Sequence, residues 1–220
     1  MRCGIPTPLT LSPETVPPFH SLVLFTAAGL ALNITPGPDM LYVAARGAGE
    51  GRSAGIASAL GIGVGTLVHI ALVAAGLAAV LAAVPVAYLT IRLGGAAYLI
   101  YLGVRALLAR QSAEATPLAP ASIGAIFRQG VITNVLNPKV ALFFLAFLPQ
   151  FVDASRGNPA LQVVALGLLF DTTGTLVNLA VAIGSSRAAA RLRAPGVWLP
   201  RVTGGIFIGL GVKLALAWRK

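Results

Sequence analysis

Long apolar stretches separated by short polar ones dominate the pattern of this chain. Six of them are long enough to cross a membrane, at residues 19–45, 56–84, 87–109, 131–152, 160–184 and 197–217. A helix needs about 20 apolar residues to cross a hydrocarbon core of about 30 Å, because each residue adds about 1.5 Å. Backbone groups in lipid must bond one another, so these segments are predicted to be helices. The pattern therefore predicts an all-α polytopic membrane protein with about six transmembrane helices.

The start of the chain differs from the apolar stretches. Five prolines fall within residues 1–18, which predicts a Pro-rich, disordered N-terminal segment. Residues 19–217 are predicted to form a single transmembrane transporter domain, with halves at about 19–110 and 127–217. A cleaved signal peptide is the alternative for the start. Against it, only Arg2 precedes the first apolar run as a positive charge.

Composition supports a membrane protein and excludes several other classes. Of 220 residues, 57% are hydrophobic and only 10% are charged, whereas soluble domains carry about 25% charged residues. One cysteine excludes an internal disulfide, a CxxC pair and a cysteine-rich metal site, and two histidines are too few for a histidine cluster. We therefore predict no metal and no cofactor. No phosphate-binding G-x-x-x-x-G-K-[ST] motif is present, so an ATP-driven pump is not predicted.

The net charge of +10 does not indicate nucleic-acid binding, because the basic residues are scattered rather than clustered. In an apolar chain, arginines between the spans tend to mark cytoplasmic loops. With the N-terminus outside, nine Lys and Arg fall in the inner loops and their flanks, Arg46 among them, and six fall outside. This count favours an orientation with both termini outside.

The sequence N-I-T-P-G-P-D interrupts the first apolar stretch, and it holds the candidate substrate-binding residues Asn33, Pro36, Gly37, Pro38 and Asp39. Two prolines flanking a glycine cannot continue a regular helix, because each proline removes a backbone donor. A charge near the bilayer centre costs ~2.5–3.5 kcal/mol, and unpaired backbone at that depth persists only inside protein or beside water. The break is therefore predicted to belong to a polar pathway. The alternative is a short loop at the membrane surface.

A second break interrupts the fourth stretch, and its candidate substrate-binding residues are Asn134, Asn137, Pro138 and Lys139. A helix that restarts at the proline presents free N–H groups and a positive dipole end, to which Lys139 adds a charge. This end suits a carboxylate, whereas Asp39 suits an ammonium group or a proton. A zwitterionic amino acid carries both charged groups, so the two breaks are predicted to bind one. The alternative is a buried ion pair between Asp39 and Lys139, and the two arrangements could alternate in one transporter.

A faint internal repeat relates the two breaks, because Pro38-Asp39 and Pro138-Lys139 lie 100 residues apart. If each half has three spans, an odd number, the second half enters the membrane from the opposite side. Two inverted three-helix repeats with broken first helices are therefore predicted. The alternative is chance similarity between glycine-rich helices.

Asp171 is the other acidic residue within a predicted span, and Thr175 and Asn178 follow it on the same helical face. This stripe suits a proton-relay carboxylate, or equally a helix–helix contact at which Gly174 permits close approach. Proton coupling is thus predicted for Asp171, together with Asp39 and His69. For His69, a hydrogen-bonded core position is the alternative.

These residues also fall in motifs that resemble the LysE/RhtB family of amino-acid exporters. The matching motifs include N-I-T-P-G-P-D at 33–39, F-R-Q-G-V-I-T-N-V-L-N-P-K at 127–139, F-F-L-A-F-L-P-Q-F at 143–151 and T-G-G-I-F-I-G-L-G at 203–211. The resemblance implies an inner-membrane exporter driven by the proton-motive force, with basic amino acids, threonine, homoserine and its lactone, or leucine as substrates. It also implies that Asp171 is the membrane aspartate of the fifth span. Unlike many relatives, the chain has no Trp after that aspartate and has a long Pro-rich start.

We therefore predict a secondary transporter, not an enzyme, that exports an amino acid or close derivative by proton antiport through alternating access. The predicted partners are the amino acid, protons and membrane lipid, with a homo-oligomer as one assembly and no nucleic acid. One alternative is an exporter of another small solute or a divalent metal, although soft-metal ligands are scarce. The other is a non-transporting membrane subunit or a membrane-embedded enzyme, for which no nucleophile–base pair is evident.

Overall fold

The computed structural model describes residues 18–83 and 118–187, together with scattered residues between 93 and 108 and between 205 and 216. The predicted third and sixth spans lie largely outside these described residues, as does nearly all of the Pro-rich start. The described part is helical, with no strand, which confirms the predicted all-α class. Its α-helices are α1 (Phe19–Ile34), α2 (Pro38–Glu50), α3 (Arg52–Ala83), α4 (Ile123–Val135), α5 (Pro138–Leu142) and α6 (Pro159–Arg187).

Within the described ranges, two helices are long and apolar enough to cross a membrane, and there are four such spans if each bent pair of helices counts as one. Helices α3 and α6 each meet the requirement alone. Helices α1 and α2 meet it together and are bent by 49° at their junction, and α4 with the segment Pro138–Phe151 is bent by 44°. Both predicted breaks are therefore present as bends between consecutive helices.

Two boundaries differ from the sequence prediction. The fourth span was predicted from residue 131, but α4 begins at Ile123, where the Ser122 side chain accepts a hydrogen bond from the N–H of Ala125 at 3.3 Å. The apolar pattern missed this first part because polar residues interrupt it, although an N-cap and a helix tolerate them. The second span was predicted from residue 56, but α3 already begins at Arg52. The preceding Gly51 ends α2, because its φ of 89° is a left-handed conformation that favours glycine.

Small residues let α3 approach its neighbours closely. A methyl group on Gly65 would lie 2.8 Å from the carbonyl oxygen of Val131 on α4, and one on Gly130 would lie 2.7 Å from the carbonyl oxygen of Ser58 on α3. Helices in membranes associate through such close packing, since lipid provides little hydrophobic drive between them. The glycines of α3 thus fix the distance between the elements that carry the polar residues.

Beyond the second break the chain leaves regular α-helix. Helix α5 continues into a π-helical turn, Phe143–Phe147, and a 3-10 turn, Leu148–Phe151. Phe143 packs at 4.6 Å between ring centroids on Phe170 of α6 and at 5.7 Å on Phe25 of α1. These rings belong to the main hydrophobic core, which joins α1, α6 and the segment after the second break.

Candidate functional site

Both breaks leave backbone carbonyls without their regular helical donors. The carbonyl of Leu32 lies four residues before Pro36, and that of Asn134 lies four residues before Pro138, and proline has no N–H to donate. The following helices begin with proline at the first position, Pro38 in α2 and Pro138 in α5, where its fixed φ suits a helix start. Each carbonyl instead accepts from the N–H three residues on, that of Thr35 at 3.2 Å for Leu32 and that of Asn137 at 2.9 Å for Asn134, and keeps a lone pair for a further donor inside the fold.

A buried ion pair joins the two breaks. Lys139 Nζ lies 3.3 Å from Asp39 Oδ1, and the two side chains are only 5% and 8% exposed. The same ammonium donates to the carbonyl of Leu32 at 3.3 Å and to that of Thr35 at 3.1 Å. At 3.3 Å and an effective dielectric of about 20, the pair attracts by ~5 kcal/mol, which repays part of the cost of removing both charges from water. Of the two arrangements that the sequence left open, the structure contains the ion pair.

Gly37 provides the space for this pair. Its backbone is extended, with φ −144° and ψ −179°, a conformation that any residue can adopt. A methyl group on Gly37 would lie 2.7 Å from Asp39 Oδ1 and 2.8 Å from Lys139 Nζ. Glycine is therefore favoured at this position for the room it leaves and not for its conformation.

Asn137 caps the helix that follows the second break. Its side-chain oxygen accepts a hydrogen bond from the backbone N–H of Lys139 at 3.0 Å. The prediction of a free N–H at this helix start is therefore wrong for Lys139, because a side chain already occupies that donor. The positive charge that faces Asp39 is the ammonium. The Asn137 amide nitrogen is buried and has no hydrogen-bond partner among the described residues.

His69 on α3 bonds the carbonyl that Pro138 leaves without a helical donor. Its Nε2 lies 3.1 Å from the carbonyl oxygen of Asn134. Because a carbonyl only accepts, we assign the proton to Nε2. The ring stacks on Phe144 with centroids 5.8 Å apart, and the residue is buried. This is the hydrogen-bonded core environment that the sequence left as the alternative to a proton carrier.

A narrow cavity lies between α6 and the two breaks. Its polar lining consists of Asn33, Asp39, Thr66, Asn134, Asp171, Thr175 and Asn178. About 10 Å³ is free for the centre of a water molecule, which is roughly the space of one water. An amino acid does not fit in this conformation, so its entry requires the surrounding helices to separate.

The polar stripe of α6 faces this cavity. Asp171, Thr175 and Asn178 all line it, which confirms that they share a helical face. The Thr175 hydroxyl lies 3.5 Å from Asp171 Oδ1. Gly63 of α3 faces the pair, since a methyl group there would lie 2.8 Å from the Thr175 oxygen.

Asn33 ties the end of α1 to α6. Its amide nitrogen donates to the carbonyl of Phe170 at 3.3 Å and contacts the hydroxyl of Thr173 at 3.2 Å. Gly174 leaves room for the amide, because a methyl group on that glycine would lie 3.0 Å from Asn33 Oδ1. Asn33 therefore holds the first break against the helix that carries Asp171.

A second charged cluster lies where α2 ends and α4 begins, and no sequence pattern predicted it. Arg46, which the charge count placed among the loops and their flanks, is instead 3% exposed. It pairs with Glu50 and donates to the carbonyl of Ala119 at 2.9 Å and to Gln129 Oε1 at 2.7 Å. The Tyr42 hydroxyl lies 3.2 Å from the same Gln129 oxygen. Because its partners lie 73 and 83 residues away, only folding brings this cluster together.

An exposed loop just before the N-terminus of α6 is held by polar contacts. The Gln162 side chain donates to the carbonyl of Asp153 at 2.8 Å and accepts from its N–H at 2.9 Å. Hydrogen bonds from the hydroxyl and the N–H of Ser155 lower the pKa of the Asp153 carboxyl below its ordinary value. Arg156 forms an exposed ion pair with Asp153 at 3.4 Å.

The structure brings together most of the residues singled out from the sequence. The cavity is lined by Asn33, Asp39, Asn134 and Asp171. Lys139 does not line it but forms an ion pair with Asp39. The backbone of the two breaks is built by Pro36, Gly37, Pro38, Asn137 and Pro138. His69 lies behind Asn134 and is not part of the polar lining. The sequence missed Thr66, whose hydroxyl lies 3.4 Å from Asn134 Oδ1, although its position one turn before His69 was a usable signal.

Comparison with known proteins adds a family to this geometry. The model of the LysE type translocator family matches residues 30–217. An uncharacterized membrane protein of Pseudomonas aeruginosa is 33% identical over 84% of this chain and 89% of its own length. A leucine efflux protein of Enterobacter sp. is 29% identical over 83% of this chain and 89% of its own length. One of Salmonella typhimurium is 31% identical over 64% of this chain and 68% of its own length. No solved structure matches the chain.

Proposed function

Because the chain belongs to the LysE type translocator family, we propose that it exports an amino acid from the cytoplasm by proton antiport. At the level of the family it is an amino-acid exporter and a multi-pass protein of the bacterial inner membrane. Family membership and the names of its relatives indicate a transporter rather than an enzyme. The substrate, the coupling to protons and the roles of individual residues are what we propose here.

The observation that carries this proposal is the buried Asp39–Lys139 pair between the two breaks. An amino acid exposes a carboxylate and an ammonium group, which match Lys139 and Asp39. Binding would replace one buried ion pair with two, so neither protein charge is left uncompensated. The exchange avoids the large cost of an unpaired buried charge, about 3–5 kcal/mol. The described conformation, in which the pair is closed and the cavity is narrow, is then an occluded state of an alternating cycle.

Leucine is the first substrate to test. Several relatives are named leucine efflux proteins, and the cavity also has an apolar wall formed by Ile62, Val140 and Phe170. An aliphatic side chain would lie against this wall while the two charged groups bind the pair. Such a wall favours apolar side chains through burial of their surface.

Asp171 is the proposed proton carrier. It lines the cavity, and it forms no ion pair within the part of the chain that the structure describes. A carboxylate at membrane depth is costly when charged, so proton uptake favours its neutral form. For His69 we propose a positional role only, because its Nε2 is engaged by the carbonyl of Asn134.

The test is accumulation of labelled leucine in everted membrane vesicles under an inside-acid pH gradient. We expect Asp39→Asn, Lys139→Gln and the double variant to lose accumulation by about tenfold or more, since each loses a charge that binds the substrate. The double variant should unfold at a higher temperature than either single variant, because it leaves no unpaired buried charge.

The matched control is the exposed ion pair of the loop before α6. Asp153→Asn with Arg156→Gln removes a pair that is 43% and 49% exposed, and accumulation should stay at the wild-type level. The proposal fails if the double variant of the buried pair accumulates leucine as the wild type does. It also fails if no amino acid is transported by the wild-type protein.

Proton coupling is tested separately with Asp171→Asn. This variant should still exchange leucine across the membrane when leucine is present on both sides. It should no longer accumulate leucine against a gradient when a pH difference is applied. Accumulation at the wild-type level would exclude Asp171 as the proton carrier.

A further inference from the structure

One buried acceptor in the cavity has no partner. Asn178 is 5% exposed and lines the cavity, and its side-chain oxygen has no hydrogen-bond partner among the described residues. Buried polar atoms are satisfied in nearly all native structures, so each exception needs a physical explanation. In a polar cavity, the usual explanation is a small bound species that completes the bonding.

Several of the groups that line the cavity with this acceptor provide oxygens. Asp171 provides a carboxylate, and the Thr175 hydroxyl lies 3.5 Å from it. The Thr66 hydroxyl donates weakly to the carbonyl of Ile62 at 3.3 Å, which leaves its lone pairs available. The cavity therefore offers acceptors from two helices, α3 and α6, to a single guest.

Among the described residues, one negative charge around the cavity has no ion-pair partner when Asp171 is ionised. The cavity's titratable groups are Asp39, which pairs with Lys139, and Asp171, and His69 lies behind Asn134. The Asp39–Lys139 pair is neutral as a whole, so the local charge is that of Asp171. A guest with one positive charge would neutralise it.

Size and ligand type narrow the guest further. The free space accommodates about one water molecule. Among the described residues there is no group of three His, Cys, Asp or Glu side chains that could hold a metal ion. Oxygen ligands suit hard cations, and a single ionised carboxylate balances one positive charge; oxygens also hold Na⁺ or H⁺ as coupling ions in other transporters.

We propose that Asp171, Asn178, Thr175 and Thr66 bind one water-sized monovalent cation, and that this cation is the coupling ion of the exporter. The inference rests on the proposed function and deepens it. The shared chemistry is a single positive charge held by oxygens, which is either a proton carried as hydronium or a sodium ion. A substrate that opens the Asp39–Lys139 pair must also widen the cavity. That movement separates Thr66 on α3 from Asp171 and Asn178 on α6, so cation and substrate exclude each other, as antiport requires.

The experiment measures thermal unfolding of the purified full chain in detergent. Sodium chloride is titrated against choline chloride at constant ionic strength, and the pH is varied separately without sodium. A ligand that binds only the folded state raises the unfolding temperature with its concentration. We expect either sodium or protons to do so, with an apparent affinity that falls by about tenfold or more in Asn178→Ala.

Two further variants make the result specific. Asn178→Ser keeps an oxygen and should retain part of the ion dependence if the alanine variant folds poorly. Thr172→Ala is the matched control, because Thr172 is exposed on the same helix and its hydroxyl bonds the carbonyl of Leu168 at 2.8 Å. It should leave the ion dependence unchanged.

The outcomes separate the two cations and the two proposals. A sodium response that Asn178→Ala weakens identifies sodium as the coupling ion and overturns the proton coupling proposed above. A proton response that it weakens identifies hydronium, in agreement with proton antiport. The inference is overturned if neither ion stabilises the wild type, or if Asn178→Ala responds as the wild type does. Wild-type leucine accumulation would then still support the proposed function, whereas an ion response without any leucine transport would contradict that function alone.

Discussion

Replacing Gly37 with alanine tests whether the ion pair between the breaks controls the occluded conformation. The new methyl group would lie 2.7 Å from Asp39 Oδ1 and 2.8 Å from Lys139 Nζ. Ordinary contact begins at 3.4 Å, so each atom must withdraw by about 0.6–0.7 Å. Both neighbours are the ends of flexible side chains, so the backbone need not move. If both withdraw in proportion, their separation grows from 3.3 Å to ~4 Å.

This separation has a calculable effect. With an effective dielectric of about 20, the attraction falls from ~5 to ~4 kcal/mol. At ~4 Å the hydrogen bond between the charges is also lost, which brings the total to about 1–2 kcal/mol. For a chain of this size, that loss lowers the unfolding temperature by roughly 2–8 °C. It also reduces the population of the paired state by about five- to thirtyfold relative to open states.

The assay is thermal unfolding in detergent, with Gly49→Ala as the matched control. Gly49 lies within α2, and no atom of the described residues lies within 4 Å of an added methyl group, so its replacement should be neutral or slightly stabilising. In a background that carries Asp39→Ala and Lys139→Ala, the contacted atoms are gone. Gly37→Ala should then cost little. An equal loss of stability with and without the ion pair would refute this reasoning.

Three further predictions concern other contacts. Gly130→Ala places a methyl group 2.7 Å from a backbone carbonyl of α3 and should cost about 1–3 kcal/mol. Gly124→Ala on the same helix should not, because no atom of the described residues lies within 4 Å of its added methyl group. Equal unfolding temperatures of the two variants would contradict this. His69→Phe keeps an aromatic ring but removes the donor 3.1 Å from the Asn134 carbonyl, which still accepts from the N–H of Asn137, so it should cost about 0.5–1.5 kcal/mol in thermal unfolding while leucine exchange continues. Ser155→Ala should raise the pKa of Asp153, because one hydrogen bond that lowers it is lost. A lowered pKa in the folded state stabilises above the unfolded-state pKa and is lost as the pH falls through the folded-state value, so this variant should lose stability at a higher pH during acid titration, and identical titration curves would contradict the assignment.

The sequence alone was sufficient for the membrane class, the family and the positions of both breaks. Apolar length dictates spanning helices, since backbone groups in lipid must bond within the segment. Proline dictates a break wherever it removes a donor, so N-I-T-P-G-P-D and N-P-K could be located without coordinates. The face shared by Asp171 and Asn178 followed from helical spacing.

Only the tertiary structure decided which partners these residues have. The pairing of Asp39 with Lys139 spans 100 residues. The sequence left this ion pair as an alternative to two charges that bind the substrate separately. The structure also showed that Arg46 is buried in a polar cluster, and it gave Thr66 a place beside Asn134. Local patterns fix what a short segment can do by itself, because they act through neighbouring bonds. Partner choice depends on the distances between packed helices, and here glycines on α3 and α4 set those distances.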